Sequence, residues 1–415
     1  MPAPTTDIAI VGCGVSGATA ALAATENNAK VTIFEEHQRV GEPSHCSGHV
    51  GILAFKKFAP EIPERIIENR IKGAILHSPN GEQLTLYRSQ PVTWVLNRPE
   101  LDRFLVSLAT EHGAELSLGS RVENFQRSPN GELDLQIGGR ARSKVRCKAI
   151  IDAGGCGAPI SKYLTHTPSR RIFVNSAQVN AANLRDIDED LVEVYFGERY
   201  APNFFGWIIP RRDGSAKIGI AGSRINVREC FDRFVKMHPI VSSKLRHAKF
   251  LSNPTYHLIP VDGGKERSYA DGILLVGDAA SQVKPTTGGG IVLGLICGKL
   301  AGRTAAKAVQ IGDTTSSYLH HYEKTWRRLL GFDLTAMSWI RRCLYGMPDK
   351  QLDRLFKTLN ELHVNDALNQ TADIDFQGRT LLALSHDPRL IAALLSASIL
   401  CVPTMLSPRG ILRGK

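Results

Sequence analysis

The chain has 415 residues, 43% of them hydrophobic and 22% charged, with 51 Lys and Arg against 40 Asp and Glu and a formal charge of +11. That length allows two or three domains and a large buried core, and the composition is that of an ordinary globular protein without repeats or low-complexity tracts. The charge favours anionic partners, or is simply a solvated basic surface, because the arginines cluster only in pairs such as Arg170-Arg171, Arg211-Arg212, Arg327-Arg328 and Arg341-Arg342.

The opening residues, MPAPTTD, carry no basic segment followed by an apolar stretch, so no secretory signal is expected. No window of about 18 apolar residues suggests a spanning helix. The eight cysteines include no CxxC pair, which argues against a zinc ribbon or a thioredoxin-like site. No metal site is expected, and in a reducing cytoplasm most of the thiols are expected to be buried and inert.

Asp7 to Val11 is a short apolar run suited to a buried parallel strand. Gly12-Cys13-Gly14-Val15-Ser16-Gly17 follows, then a helix of small residues from Ala18 to Ala24, then a second strand from Lys30 to Phe34 that ends at Glu35. Gly12 permits the tight turn, Gly14 lets the backbone approach a pyrophosphate, and Gly17 lets helix and strand pack closely. The helix N-terminus offers free N–H groups to the phosphates, and Glu35 can accept hydrogen bonds from ribose hydroxyls. Strand, loop, helix, strand and acid in this order predict a dinucleotide site, which fits FAD or NAD equally.

Later segments separate the two. Ala149 to Gly157 is an apolar strand running into a glycine turn. Gly272 to Asp278 (GILLVGD) is another strand, ending in Gly-Asp, and Ala279 to Gly290 leads into an apolar helix from Ile291 to Ala301. Arg98 opens a further helix.

In these features the chain resembles the FAD-dependent superfamily built like p-hydroxybenzoate hydroxylase. The resemblance implies FAD as cofactor, with Asp278 on the ribityl chain, Gly288, Gly289 and Gly290 at the flavin pyrimidine edge, and Arg98 near the phosphates. It also sets Val15, Ser16, Glu36, Ser47, Gly48, Val122 and Ile291 against the cofactor. A helix N-terminus is suited to the negative charge that a reduced flavin carries near N1.

The expected fold is α/β (α+β). A discontinuous Rossmann-like FAD-binding domain takes residues 1–70, 91–165 and 267–325. A second, antiparallel-sheet substrate domain takes residues 71–90 and 166–266, with a hairpin around Pro79-Asn80-Gly81 and strand-like runs between Val192 and Gly222. Residues 326–415 form a helical C-terminal region, with apolar positions three and four apart.

Two further motifs narrow the family. Gly41 to Gly48 (GEPSHCSG) contains Pro43 and Cys46 in a PxxC arrangement, and Phe205 to Pro210 (FGWIIP) carries Trp207. Over about the first 330 residues the chain resembles an archaeal-type geranylgeranyl reductase. The resemblance implies Cys46 near the flavin as the catalytic candidate, and Phe205, Trp207, Ile209 and Pro210 lining a prenyl site. Phe205 and Ile209 stand where Tyr and Phe are usual in that family. The residues themselves fit either an apolar tunnel lining or alternating core positions of a sheet. His45, beside Cys46, could titrate near neutrality.

The implied function is an FAD-dependent reductase that saturates C=C bonds of geranylgeranyl chains in membrane ether lipids, the alternative being a flavin monooxygenase or dehydrogenase of the same fold. The partners are an isoprenoid lipid and an unidentified electron donor, ferredoxin or NAD(P)H, with no nucleic acid. Asp387 can cap a helix starting at Pro388, and its apolar run Leu390 to Leu400 is expected to stop near Pro403. That run is too short to span a bilayer but suits a core helix, an interfacial helix or a tunnel wall. With the basic tail Pro408 to Lys415 it suggests a cytoplasmic protein associating with the inner face of the membrane.

Overall fold

The computed structural model describes residues 4–139, 143–164, 171–264, 267–371 and 373–406. The tail Pro408 to Lys415 and Arg170 lie outside the described residues.

The first third of the chain runs β1 (Thr5–Val11), α1 (Val15–Thr25), β2 (Val31–Phe34), β3 (His49–Gly51), α2 (Ile52–Phe58), β4 (Ile67–Ile71), β5 (Gly73–His77), β6 (Gln83–Tyr87), β7 (Thr93–Leu96), α3 (Arg98–Glu111), β8 (Glu115–Ser117), β9 (Ser120–Arg127) and β10 (Leu133–Gly139). Next come β11 (Ser143–Asp152), β12 (Phe173–Ala182), β13 (Leu191–Tyr195), β14 (Gly206–Pro210), β15 (Ser215–Gly222), α4 (Val227–Met237), α5 (Pro239–Lys244), β16 (Lys249–Phe250), β17 (Thr255–Pro260), β18 (Tyr269–Ala270) and β19 (Ile273–Leu275). The rest is helical: α6 (Ile291–Ile311), α7 (Ser316–Leu344), α8 (Asp349–Glu361), α9 (Val364–Thr371), α10 (Gln377–Ala383) and α11 (Pro388–Leu406).

The first sheet has the order β18-β19-β11-β1-β2-β8, with β10 and β9 added on β11. Its centre is parallel, Ile10 standing between Ile33 on one side and Ile151 on the other. Ile8, Ile10 and Ile33 are fully buried, each worth about 1.5–3 kcal/mol relative to exposure. Such doubly covered strands read as continuous apolar runs, which is why DIAIV was recognisable. Helices α1 and α6 pack directly on each other against this sheet, and small residues let them approach: a Cβ on Gly302 would overlap the Ala20 carbonyl oxygen.

The second sheet has the order β16-β12-β15-β14-β13-β5-β6, with β17 also on β12. It is antiparallel except between β13 and β5. The hairpin β5–β6 turns at Pro79-Asn80-Gly81, as expected. A three-stranded sheet, β3-β7-β4, is built from the segments that flank the β5–β6 hairpin.

Three helices differ in their bounds from expectation, α1 starting already at Val15 rather than Ala18. Helix α6 runs on to Ile311, where Gly312 at φ +71° ends it. Helix α11 continues past Pro403 to Leu406. Proline forfeits one hydrogen bond inside a helix, a cost that tertiary context can outweigh. No described helix is long and apolar enough to cross a membrane.

Candidate functional site

The C-terminal ends of the parallel strands, the third sheet, the second sheet and helices α7, α9 and α10 enclose one cavity of about 1670 Å³. Binding sites in open α/β sheets form at this edge. The volume exceeds the roughly 300–1,000 Å³ of a site for one small ligand, so it has space for a dinucleotide and a second molecule.

One end is built for a dinucleotide. Gly12 takes φ +86°, and a Cβ there would sit 2.7 Å from the Ala153 carbonyl oxygen. A Cβ on Gly17 would overlap the Gly12 carbonyl oxygen, so both positions require glycine. No side chain caps the N-termini of α1 or α6, and residues of both first turns line the cavity. Two uncapped helix N-termini facing one space suit an anionic ligand. Glu35, at the end of β2, accepts the Cys13 N–H at 3.1 Å and the His37 N–H at 3.0 Å. Burial works to raise the Glu35 pKa, but the hydrogen bonds from His37 and Cys13 overcome it and hold the pKa below the ordinary value. Glu36 and Val122 lie beside it on the cavity wall.

Arg98 starts α3, with Asn97 capping the helix by accepting the Glu100 N–H. Its guanidinium makes two 3.1 Å bonds to Asp102 and stands close to the position a Gly14 Cβ would take, at 3.7 Å. Burial opposes the Arg98 charge, but Asp102 and Cys46 together hold its pKa above the usual value. Arg98 is thus a fixed cation between the glycine loop and Cys46.

Cys46 is half-buried, and its sulfur accepts the Gly48 N–H at 3.4 Å. The loop around it is gripped from the second sheet by Lys217 of β15. The Lys217 ammonium donates to the Ser47 carbonyl at 2.9 Å and the Leu96 carbonyl at 3.1 Å, and pairs with Glu68 at 2.6 Å. Burial lowers the Lys217 pKa against the pull of Glu68 and Cys46. His45 stacks on His257 with ring centroids 3.7 Å apart. Its pKa is pushed down to about 4 by desolvation, with His257 and Arg98 adding to the effect. This corrects the expectation that His45 titrates near neutrality: desolvation first, then the neighbouring His257 and Arg98, disfavour its charged form.

Asp278 follows β19, and its Oδ2 lies 3.7 Å from His257 Nε2. Cys156, His257 and Asp278 bring one ligand atom each within 4.8 Å of one another. Burial, then Asp278, pushes the Cys156 thiol up, which disfavours the thiolate that a metal requires. Gly288, Gly289, Gly290 and Ile291 line the cavity beside Asp278. Lys284 lies directly behind them: a Cβ on Gly289 would come 3.0 Å from its ammonium nitrogen. Lys284 pairs with Asp375 at 2.7 Å, and Thr286 is held by Gln377 and by the Tyr345 hydroxyl.

The other end is aromatic. Phe204 and Phe205 stack at 4.4 Å, and Phe205 meets Trp207 edge-on at 5.9 Å. Trp207 donates its indole N–H to Gln178. Phe196, Ile259, Ile340, Leu344 and Tyr345 complete this wall.

The structure gathers Gly12, Gly14, Val15, Ser16, Glu35, Glu36, Cys46, Ser47, Arg98, Val122, Asp278, Gly288 to Ile291, Phe205, Trp207 and Ile209 on one cavity. Gly17, Gly48 and Pro210 are not on its wall. Gly17 supports the loop from behind, a Cβ on Gly48 would overlap the Leu96 carbonyl oxygen, and the Pro210 carbonyl accepts from Asn69. Sequence reasoning missed Lys217, Lys284, Asp375, Tyr345 and His257. A lysine in the apolar run AKIGIAG was a readable signal for the first; nothing local marks Asp375.

Residues 7–160 match the FAD dependent oxidoreductase family, and residues 174–251 match the geranylgeranyl reductase catalytic domain. The chain is similar to digeranylgeranylglycerophospholipid reductase 2 of Methanothermobacter thermautotrophicus, with 30% identity over 85% of this chain and 91% of that protein. Digeranylgeranylglycerophospholipid reductase of Methanocaldococcus jannaschii shares 29% identity over 86% of this chain and 90% of its own. Among solved structures, a geranylgeranyl bacteriochlorophyll reductase-like protein of Thermoplasma acidophilum superposes with a TM-score of 0.82 at 24% identity, covering 95% of this chain and all of its own. A flavin-dependent brominase shares the fold at a TM-score of 0.68 and 15% identity, covering 93% of this chain and 100% of its own. With its dinucleotide loop, its paired uncapped helices and this kinship, the chain belongs to the geranylgeranyl reductase family and is an FAD-dependent oxidoreductase.

Proposed function

We propose that the protein saturates C=C bonds in the geranylgeranyl chains of membrane ether lipids or their precursors. The observation that carries this reading is the shape and chemistry of the large cavity: the glycine-loop end and an aromatic, apolar end both open on it, with Cys46 on its wall. Bound reduced FAD supplies a hydride. The chain's own residues do the rest. Gly12 to Ser16, Glu35, Arg98, Asp278 and the Gly288–Gly290 turn hold the cofactor. Phe205, Trp207 and Ile209 orient a prenyl chain that has no polar handle, and close packing around it excludes water. Cys46 gives its proton to the alkene carbon that does not receive hydride, and is reprotonated from solvent. Lys217 positions the Cys46 loop.

The electron donor is either a ferredoxin or NAD(P)H. The lipid substrate implies work at the inner face of the cytoplasmic membrane.

The test is anaerobic incubation of chemically reduced holoprotein with a geranylgeranyl glycerol ether lipid, read by mass spectrometry. Mass gains in steps of two hydrogens are expected. An unchanged lipid, or aerobic incorporation of oxygen instead, overturns the reading.

A further inference from the structure

Helix α7 presents two faces of opposite use. Its inner face contributes Ile340 and Leu344 to the cavity wall. Its outer face, exposed at intervals of three and four residues, carries Lys324, Arg328, Phe332, Thr335, Trp339 and Arg342. Phe332 is 57% exposed and Trp339 46%. Both stand on the same stripe, two helical turns apart. Among the described residues no acidic side chain is exposed on this face.

Neighbouring helices extend the pattern. Helix α10 packs along α7, with Gly378 against Asp333 and Ala336 and the Arg379 guanidinium reaching the Leu329 carbonyl. One turn on from Arg379, Leu382 is 63% exposed. Helix α10 likewise turns Thr380 and Leu381 inward to the cavity. Exposed apolar residues scattered singly carry no message, but an apolar stripe centred on an aromatic pair and flanked only by cations does.

We propose that the outer face of α7 and α10 docks on an anionic lipid bilayer, with Phe332, Trp339 and Leu382 entering the headgroup–acyl boundary and Arg328 and Arg342 meeting lipid phosphates. Trp at this depth and cations beside it are the residue types that interfaces select. Because the same helices wall the cavity on their other side, docking sets the prenyl end of the site against the membrane that holds the substrate. The proposal rests on the lipid-reductase reading for its purpose but not for its test.

The experiment is cosedimentation of the holoprotein with vesicles of phosphatidylcholine alone and of phosphatidylcholine with 30% phosphatidylglycerol, at two salt concentrations. Binding to the anionic vesicles is expected, weakened by salt. The double variant Phe332→Ser/Trp339→Ser is expected to bind at least tenfold more weakly. Arg328→Gln/Arg342→Gln is expected to lose the preference for anionic vesicles. Both variants should keep bound FAD and reduce detergent-dispersed lipid as the parent does. Vesicle binding unchanged in both variants overturns the proposal. So does a stable dimer of the parent that Phe332→Ser/Trp339→Ser converts to monomer without altering vesicle binding, since the face would then cover a second copy. Vesicle binding without reduction of any prenyl lipid would sink the functional reading and leave the docking face standing.

Discussion

Lys284 and Asp375 form an ion pair at 2.7 Å with their side chains only 3% and 2% exposed. Asp375 also accepts the Gly51 N–H at 2.7 Å, and Lys284 donates to the Ile374 carbonyl. The pair therefore ties the glycine turn before α6, the strand that follows the Cys46 loop and the segment leading into α10. Removing one partner of a buried pair leaves an uncompensated charge and costs roughly 3–5 kcal/mol. Lys284→Met is expected to lower stability by about that much, and Lys284→Met/Asp375→Leu to recover most of it, read by urea unfolding.

The ammonium of Lys284 also lies behind Gly289, which bears on the redox state. A cation there favours the reduced flavin. A tenfold loss of preference for reduced over oxidised FAD corresponds to about 30 mV for a two-electron couple. The double variant, which restores stability, is expected to shift the bound-flavin potential less than Asp375→Asn raises it. Equal potentials in the parent, Asp375→Asn and Lys284→Met/Asp375→Leu would remove Lys284 from this role.

Cys46→Ala is expected to bind FAD with an unchanged absorbance spectrum and to lose prenyl reduction by about 10²-fold or more, the typical contribution of a positioned acid. Lys217→Met should retain the thiol but loosen its loop, lowering kcat more than it raises KM. Full activity of Cys46→Ala would transfer the proton to another donor.

The two glycines of the loop should separate binding from folding. A Cβ on Gly17 overlaps backbone, whereas one on Gly14 meets only the end of Arg98 at 3.7 Å. Gly17→Ala is expected to yield protein with a lowered Tm and little flavin. Gly14→Ala is expected to fold normally and to bind FAD at least tenfold more weakly, measured by titration of stripped protein. Equal Tm losses would contradict the geometry.

A buried imidazole, His238, and a half-buried one, His49, make stability fall in acid. His49 is held down to about 4 by burial, with Lys284 adding to it, and His238 to about 4 by burial and then His77. Both take up a proton on unfolding near the ordinary value of 6.5. Their contribution is therefore complete above that pH and is lost as pH falls towards about 4, at up to roughly 1.4 kcal/mol per unit for each group. Urea midpoints at pH 7.5, 6 and 5 should decline, and His49→Gln/His238→Gln should flatten the decline.

What the sequence determined by itself was local. The glycine loop with Glu35, the strand leading to Asp278, the Gly288–Gly290 turn and the strands from Val192 to Gly222 were legible because each is a short run whose backbone or periodicity requirement is written in consecutive residues. Cys46 and Trp207 were legible as members of short motifs. What the tertiary structure decided was which distant side chains share a space. Lys217 reaches Ser47 across 170 positions, Lys284 finds Asp375 across 91, and Gly51 finds the same carboxylate across 324. Contacts of that span are set by how sheets and helices stack, and no local pattern encodes them. The state of His45 was likewise decided by the assembled site, through desolvation first and then His257, 212 positions on.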